Sequence, residues 1–389
     1  MSNTIVSSKI FSLASRVNFM RVLHVVGARP NFMKAAPLLR VLRSRGIGQI
    51  LVHTGQHYSA NMSEVFFSQL SIPAPDVNLE VGSGSHASQT AEVMVRLEPV
   101  VLDQKPDIVL VYGDVNSTVA AALVCSKMGV PVGHVEAGLR SFDRTMPEEI
   151  NRLITDQISD LLFTPSADAD VNLQREGISI EKVHRVGNIM IDSLVQLLAA
   201  SRQCAKNGFP ERYALVTLHR PSNVDDNQVL KNILEALLEI NEELPIVFPV
   251  HPRTRQRIAD FGIDVSALHL MDPIPYIEFL ALESRATVVV TDSGGIQEET
   301  TFLNVPCLTL RDNTERPITT TLGTNVLVGR DNVMLRQEMT KILEGKAKKG
   351  TVPPLWDGRA AERIADVLEG LSGTAPICST SGNLPRKEI

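Results

Sequence analysis

The amino-acid sequence predicts an α/β protein of two Rossmann-like, doubly wound domains. Three observations carry this expectation. Short β-branched runs alternate with amphipathic stretches along the whole chain, as in parallel sheets covered on both faces. The alternation breaks once, at Ala199–Pro210, and then restarts. Charged or glycine-bearing segments follow several strands directly, where open α/β sheets bind ligands.

In the first half, Val22–Val26, Ile50–His53, Ile108–Tyr112, Val132–Val135, Leu161–Phe163 and His184–Val186 read as strands. Phe32–Arg45, Ser88–Asp103, Ser117–Met128, Pro147–Leu162 and Ala167–Glu176 read as the helices between them. In the second half the strands are Tyr213–Leu218, Ile246–Val250, Leu268–Met271, Thr287–Thr291, Cys307–Leu310 and Val326–Val328. Asn227–Ile240, Ile277–Leu282, Ile296–Phe302 and Val333–Leu343 are the helices there. The expected domains are 20–190 and 191–357, and a last helix, 358–371, is expected to pack back on the first. Residues 1–19 read as a disordered extension, with Met20 the alternative natural start, and 372–389 as a disordered tail.

With 389 residues, 43% apolar and 21% charged, the composition is that of a globular enzyme. The net charge of −6, without blocks of like sign, argues against a nucleic-acid surface. No apolar run approaches the roughly 20 residues of a membrane span, so a cytoplasmic protein is expected. Cys125, Cys204, Cys307 and Cys378 are far apart and read as thiols of a reducing compartment. His53 and His57 stand four apart, but Thr54-Gly55 between them argues against a helical metal pair.

The organising stretch runs from His134 to Arg152. A strand delivers Glu136, Gly138 turns the backbone, and a helix begins near Pro147. Thr145 and Glu148 have capping-box spacing. Two carboxylates, Glu136 and Glu148, thus stand at a strand end and a helix start, with Arg140 and Arg152 close in sequence. Alternatively, Glu148 only caps the helix and pairs with Arg152 at i+4. Gly27-Ala28-Arg29-Pro30-Asn31 to Lys34 follows the first strand and favours an anion at Arg29 and Lys34. Asp114, after Tyr112-Gly113, is a third carboxylate at a strand end in the same half, or else an N-cap-like residue.

In the second half, His219-Arg220 ends the first strand, where an imidazole can bind phosphate or move protons. Asp292-Ser293-Gly294-Gly295 joins a strand to a helix and points free N–H groups and a positive helix end at one place, suiting a diphosphate. Glu299, one turn on, can accept from ribose hydroxyls. Arg311 and Arg316 add cations, and His251 and Phe279 complete the candidate substrate contacts. Gly82-Ser-Gly84-Ser-His-Ala87 resembles a dinucleotide fingerprint, but it follows a poor strand and is read as a helix-start loop.

Together, GHVEAGLR at 133–140, PEEINR at 147–152, Arg29-Pro30 with Lys34, TLHR at 217–220, TDSGGIQEE at 291–299 and TERP at 314–317 resemble the non-hydrolysing UDP-N-acetylglucosamine 2-epimerases. The likeness covers roughly residues 20–370. It implies two domains of the glycosyltransferase-B type with the active site in the cleft between them. It also implies a homodimer, a UDP-sugar substrate, and chemistry without cofactor or metal. Carried over by motif, Asp114, Glu136 and Glu148 are acid/base carboxylates, and Arg29 and Lys34 belong to the active-site loop. His219 and Arg316 contact UDP, Ser293, Gly294 and Gly295 hold the diphosphate, and Glu299 holds the ribose. Asn31 departs from the family, where Glu often follows Arg-Pro. The segment from Gln56 also departs, which bears on effector control. A glycosyltransferase of the same two-domain type, a hydrolysing epimerase, an epimerase of another UDP-sugar and a non-catalytic nucleotide-sugar sensor are the rival readings.

Overall fold

The computed structural model describes residues 20–55, 69–204 and 208–372. The expected extension at 1–19, the tail beyond Ser372, His57 and Cys378 lie outside the described residues.

Seven strands form the first sheet: β1 (Arg21–Val26), β2 (Gly48–His53), β3 (Val77–Asn78), β4 (Ile108–Tyr112), β5 (Val132–Val135), β6 (Leu161–Thr164) and β7 (Val183–Arg185). Six form the second: β8 (Ala214–Thr217), β9 (Ile246–Pro249), β10 (His269–Met271), β11 (Val288–Thr291), β12 (Cys307–Thr309) and β13 (Asn325–Leu327). The orders are β3-β2-β1-β4-β5-β6-β7 and β10-β9-β8-β11-β12-β13, and every pairing is parallel. The central strands are apolar throughout: all five residues of β4 are buried, as required where helices cover both faces. Each sheet reverses its order once, between β1 and β4 and between β8 and β11. In-register pairs such as Val25 with Val111 and Thr217 with Thr291 bring the following loops out side by side.

Several helices differ from expectation for local reasons. Helix Arg29–Ser44 starts three residues earlier than predicted, because Asn31 Oδ1 accepts from the N–H groups of Gly27 and Ala28 and so ties down the first turn. Helix Pro147–Ile158 stops short of Leu162, since the chain turns extended at Ser159 to enter β6. Helix Ile189–Gln203 runs through the start of the predicted break at Ala199. Three short helices, Pro221–Val224, Pro252–Asp260 and Pro317–Thr321, were not foreseen. Each starts at a proline, and the basic residue before it is the N-cap: Arg220, His251 and Arg316. Proline suits the first helical position and disfavours helical geometry in its predecessor. The segment Asp76–Val81 supplies only the two-residue edge strand β3, with Asp76 bonded to Leu51 through both backbone and side chain.

The core of the first sheet takes in helix Ile189–Gln203 and the last helix, Ala360–Ser372. Asp192 caps that last helix by accepting from Ala360 N at 3.0 Å and Ala361 N at 2.8 Å. Tyr276 and Leu280 of the second half join the same core, so the two halves pack through helices as well as meeting at their strand ends.

Candidate active site

The site is built from the C-terminal ends of β1, β4 and β5 on one side and β8, β11 and β12 on the other. Glu136 leaves β5 with φ at +74°, a left-handed conformation that costs a non-glycine residue on the order of 1–3 kcal/mol. Two residues on, Gly138 also has positive φ, and a Cβ there would lie 2.6 Å from Ala169 O. The Glu136 carboxylate is buried. Lys34 Nζ donates to Oε1 at 2.7 Å and Arg316 Nη2 approaches the same oxygen at 3.5 Å, across the two halves. Oε2 is buried without a hydrogen-bond partner among the described residues.

Arg316 is a hub. Its Nε lies 2.8 Å from Glu298 Oε1, Nη1 contacts Glu315, and Nη2 faces Glu136. Arg311 Nη2 reaches the other Glu315 oxygen at 2.7 Å. Burial favours neutral Glu315, but Arg316 and Arg311 outweigh it and hold the carboxyl far below its usual range. Glu298 goes the other way. Burial, with Glu136 adding, pushes it up to about 7 against the pull of Arg316 and Lys34. The Glu298–Arg316 contact is an ion pair by distance but lacks hydrogen-bond alignment.

Beside this cluster, Arg152 joins Asp114 and Glu149, at 2.6 Å to the latter. Glu149 also accepts from Ser141 N and Phe142 N. The expected i,i+4 pair from Glu148 to Arg152 is therefore replaced by the i,i+3 pair from Glu149. The expected capping box is absent too: Met146 is the N-cap, and Thr145 Oγ1 donates to Asp143. Glu148 is half-buried and makes no ion pair among the described residues. Arg140 is not brought to the cluster. It is 1% exposed and held by Asp156 at 2.7 Å and Glu176 at 2.6 Å, while Asp156 also holds His134. This group anchors helix Pro147–Ile158 beneath the site.

On the second sheet, His219 Nδ1 lies 2.8 Å from Asp292 Oδ1, and Asp292 also accepts from the backbone N–H groups of His219 and Arg220. Burial favours the neutral Asp292, but His219 and these N–H groups hold it below its usual range. The His219 side chain is 41% exposed, with the His251 ring centroid 6.0 Å away. His251 spends its Nδ1 accepting from Arg253 N.

Ser293 is the N-cap of helix Gly294–Leu303 but forms no side-chain cap bond. A Cβ on Gly294 would stand 2.5 Å from Arg316 Nη1, so that glycine admits the arginine to the helix start. A Cβ on Gly295 would meet nothing within 4 Å. Glu299 is buried and accepts from Tyr276 Oη at 2.7 Å, and Arg29, from the first half, acts on it electrostatically. Phe279 is half-buried against the smaller core under β8.

A surface hollow of about 530 Å³, lined by His86, Met94, Asn116, Pro147, Ile150 and Asn151 among others, is formed by first-half residues alone and does not include the facing strand ends. The sequence reading set Asp114 and Glu136 as acid/base groups, with Lys34 in the active-site loop and Arg316 at the UDP end. The structure brings Arg316 and Lys34 onto one Glu136 oxygen. Glu149, Glu298 and Glu315 were passed over, and Asp292 was named only within its motif. Adjacent helical residues point about 100° apart, so paired glutamates on a helix meet different partners. Glu149 turns inward while Glu148 stays half-buried, and Glu298 and Glu299 are both buried against different neighbours.

A family model described as UDP-N-acetylglucosamine 2-epimerase matches residues 40–369. A UDP-N-acetylglucosamine 2-epimerase of Methanocaldococcus jannaschii is 44% identical over 363 residues, 90% of this chain and 99% of that protein. A UDP-2,3-diacetamido-2,3-dideoxy-D-glucuronate 2-epimerase of Pseudomonas aeruginosa is also 44% identical, over 358 residues, 90% of this chain and 100% of that protein. Among solved structures, that of M. jannaschii UDP-GlcNAc 2-epimerase in complex with UDP-GlcNAc and UDP superposes with a TM-score of 0.83 at 43% identity. The match covers 90% of this chain and 100% of that one.

Proposed function

This chain belongs to the UDP-N-acetylglucosamine 2-epimerase family, and from that premise we propose that it interconverts UDP-GlcNAc and UDP-ManNAc. The observation that carries the catalytic assignment is Glu136: a strained backbone, a buried carboxylate held by Lys34 and Arg316, and a second oxygen with no partner among the described residues. Strain kept at a strand end, where ligands bind, points to use.

The chemistry follows from the sugar. No carbonyl acidifies the C2 hydrogen, so it leaves with, or after, cleavage of the C1–O bond. The electron pair of that bond departs on the UDP oxygen, a carboxylate takes the C2 proton, and a C1–C2 double bond forms. A proton delivered to the opposite face of C2 and return of UDP to C1 give the epimer. Asp114, Glu136 and Glu148 supply the proton transfers. The helix-start N–H groups of Gly294 and Gly295 and the Ser293 side chain, with His219 oriented by Asp292 and Arg316 beside Gly294, hold the diphosphate as its charge develops, while the Ser293 N–H is taken by Thr291 Oγ1. Arg29, Lys34, Arg152, His251 and Phe279 line the pocket, and Glu299 takes the ribose. Arg140 acts at one remove, by fixing the loop that carries Glu136.

Protein incubated with UDP-GlcNAc in D₂O and EDTA should give UDP-ManNAc with deuterium at C2, followed by NMR. Free ManNAc as the main product would overturn the reading in favour of a hydrolysing enzyme. A second reading has equal identity behind it: a UDP-2,3-diacetamido-2,3-dideoxy-D-glucuronate as substrate. It is favoured if that sugar exchanges C2 deuterium faster than UDP-GlcNAc. We further propose a cytoplasmic homodimer, tested by light scattering of the purified chain. Among the described residues no helix is long and apolar enough to cross a membrane.

A further inference from the structure

Glu283 is a buried carboxyl that the reaction above does not use. It is the last residue of helix Tyr276–Glu283, is 0% exposed, and makes no ion pair among the described residues. Its carboxyl lies in hydrogen-bonding contact with that of Glu299. Both are acceptors when ionised, and neither Glu283 oxygen meets a donor group among the described residues. Two touching carboxyls away from water cannot both carry charge, so one proton lies between them.

The surroundings say which carboxyl holds it. Burial raises Glu299 above the usual carboxylate range, but the Glu283 contact, the Tyr276 Oη donor at 2.7 Å and Arg29 all pull against it. Burial raises Glu283 well above the usual carboxylate range, and its neighbours Glu299, the Tyr276 phenol and the Cys307 thiol of β12, which burial pushes up to about 11, bring it no cation among the described residues. Charge is therefore stabilised on Glu299 and not on Glu283.

We propose that Glu283 is a positioning residue for nucleotide binding. As a neutral acid it donates to Glu299 from below. Tyr276 donates from its own helix, and together they fix an ionised Glu299 with its remaining lone pairs turned to the vicinal hydroxyls of a ribose. The proposal rests on the reading of Glu299 as the ribose acceptor. It gives the site a second layer: the charge that recognises the nucleotide is set by a proton out of reach of solvent.

Calorimetry with UDP tests it. Glu283→Gln keeps an N–H donor toward Glu299 and should bind UDP within about 2-fold of wild type. Glu283→Leu removes the donor and should weaken UDP about 10-fold or more, with kcat at saturating UDP-sugar unchanged. Rising pH should weaken UDP binding by wild type as Glu283 ionises, and should not do so for Glu283→Gln. Leu binding as tightly as wild type, or Gln binding as weakly as Leu, overturns the proposal. Tyr276→Phe removes the other donor and provides the same comparison if Glu283→Leu fails to fold: its UDP affinity should fall, and unchanged affinity overturns the proposal. Glu299→Ala separates the two layers. If it leaves UDP affinity unchanged, the ribose reading itself fails. If it weakens UDP while Glu283→Leu does not, only the role of Glu283 is lost.

Discussion

The first and second sheets reverse their strand order at equivalent places, yet they equip those places in different ways. At the end of β1, β4 and β5 the charges are matched and mostly buried: Lys34 on Glu136, and Arg152 on buried Glu149 and half-buried Asp114. At the end of β8 and β11 an open layer lies over buried pairs: a His219 side chain 41% exposed and a helix start whose second glycine would meet no atom stand above buried Asp292 and the Arg316, Glu298 and Glu315 cluster. A buried matched charge has a defined orientation and a tunable proton affinity, which suits acid/base work. Exposed N–H donors accept an anion with little rearrangement, which suits a nucleotide diphosphate. One topology thus divides chemistry from binding by degree of burial.

The strongest way to break this division is at Glu136. Glu136→Gln should lower turnover by about 10² or more while UDP affinity stays within a few-fold. Glu148→Gln should do likewise with no loss of thermal stability, since Glu148 makes no ion pair among the described residues. Near-normal C2 deuterium exchange in both would remove the first sheet from the chemistry.

A smaller effect should arise at Gly295. Its added methyl meets no protein atom, so Gly295→Ala should leave the melting temperature alone. If a phosphate uses the N–H groups there, UDP affinity should fall about 10-fold, one charged hydrogen bond's worth. Unchanged affinity places the diphosphate elsewhere.

How far this division was visible in the sequence depends on what each residue answers to. Strand ends were legible because β-branched runs stop at Gly, Asp or Glu, and Glu136, Asp114 and Asp292 stand where such runs end. The partners were not legible. Arg152 had Glu148 at the favoured helical spacing, yet the turn of the Ser141–Phe142 backbone toward the helix selects Glu149 instead. Arg140 sits among residues that resemble a site, but its neighbours Asp156 and Glu176 are known only after helices pack. Glu298 and Glu283 look like ordinary helix carboxylates until their burial is known.

The smallest prediction concerns Glu298. Burial raises its carboxyl from 4.5 to about 7, so the folded state disfavours its charged form. Stability from that proton is full below the unfolded value and is lost as pH rises through about 7. Wild type should therefore lose melting temperature between about pH 5 and 8, and Glu298→Gln should flatten that slope, gaining most on wild type at the alkaline end. Parallel melting curves would show that Arg316 keeps Glu298 charged throughout.

The cap that Asp192 places on Ala360 and Ala361 joins residues 168 and 169 apart in sequence. The whole second sheet is strung between them. During synthesis from the N-terminus, the first sheet's strands emerge early, but the helix that closes their core emerges last. The second sheet, contiguous from β8 to β13, has all its own strands before that. Assembly order is thus inverted relative to chain order for the final step: the half that is made first is finished second. Long-range closure of this kind is slow. A released chain ended before residue 360 holds every strand of the second sheet beside a first core still lacking one wall.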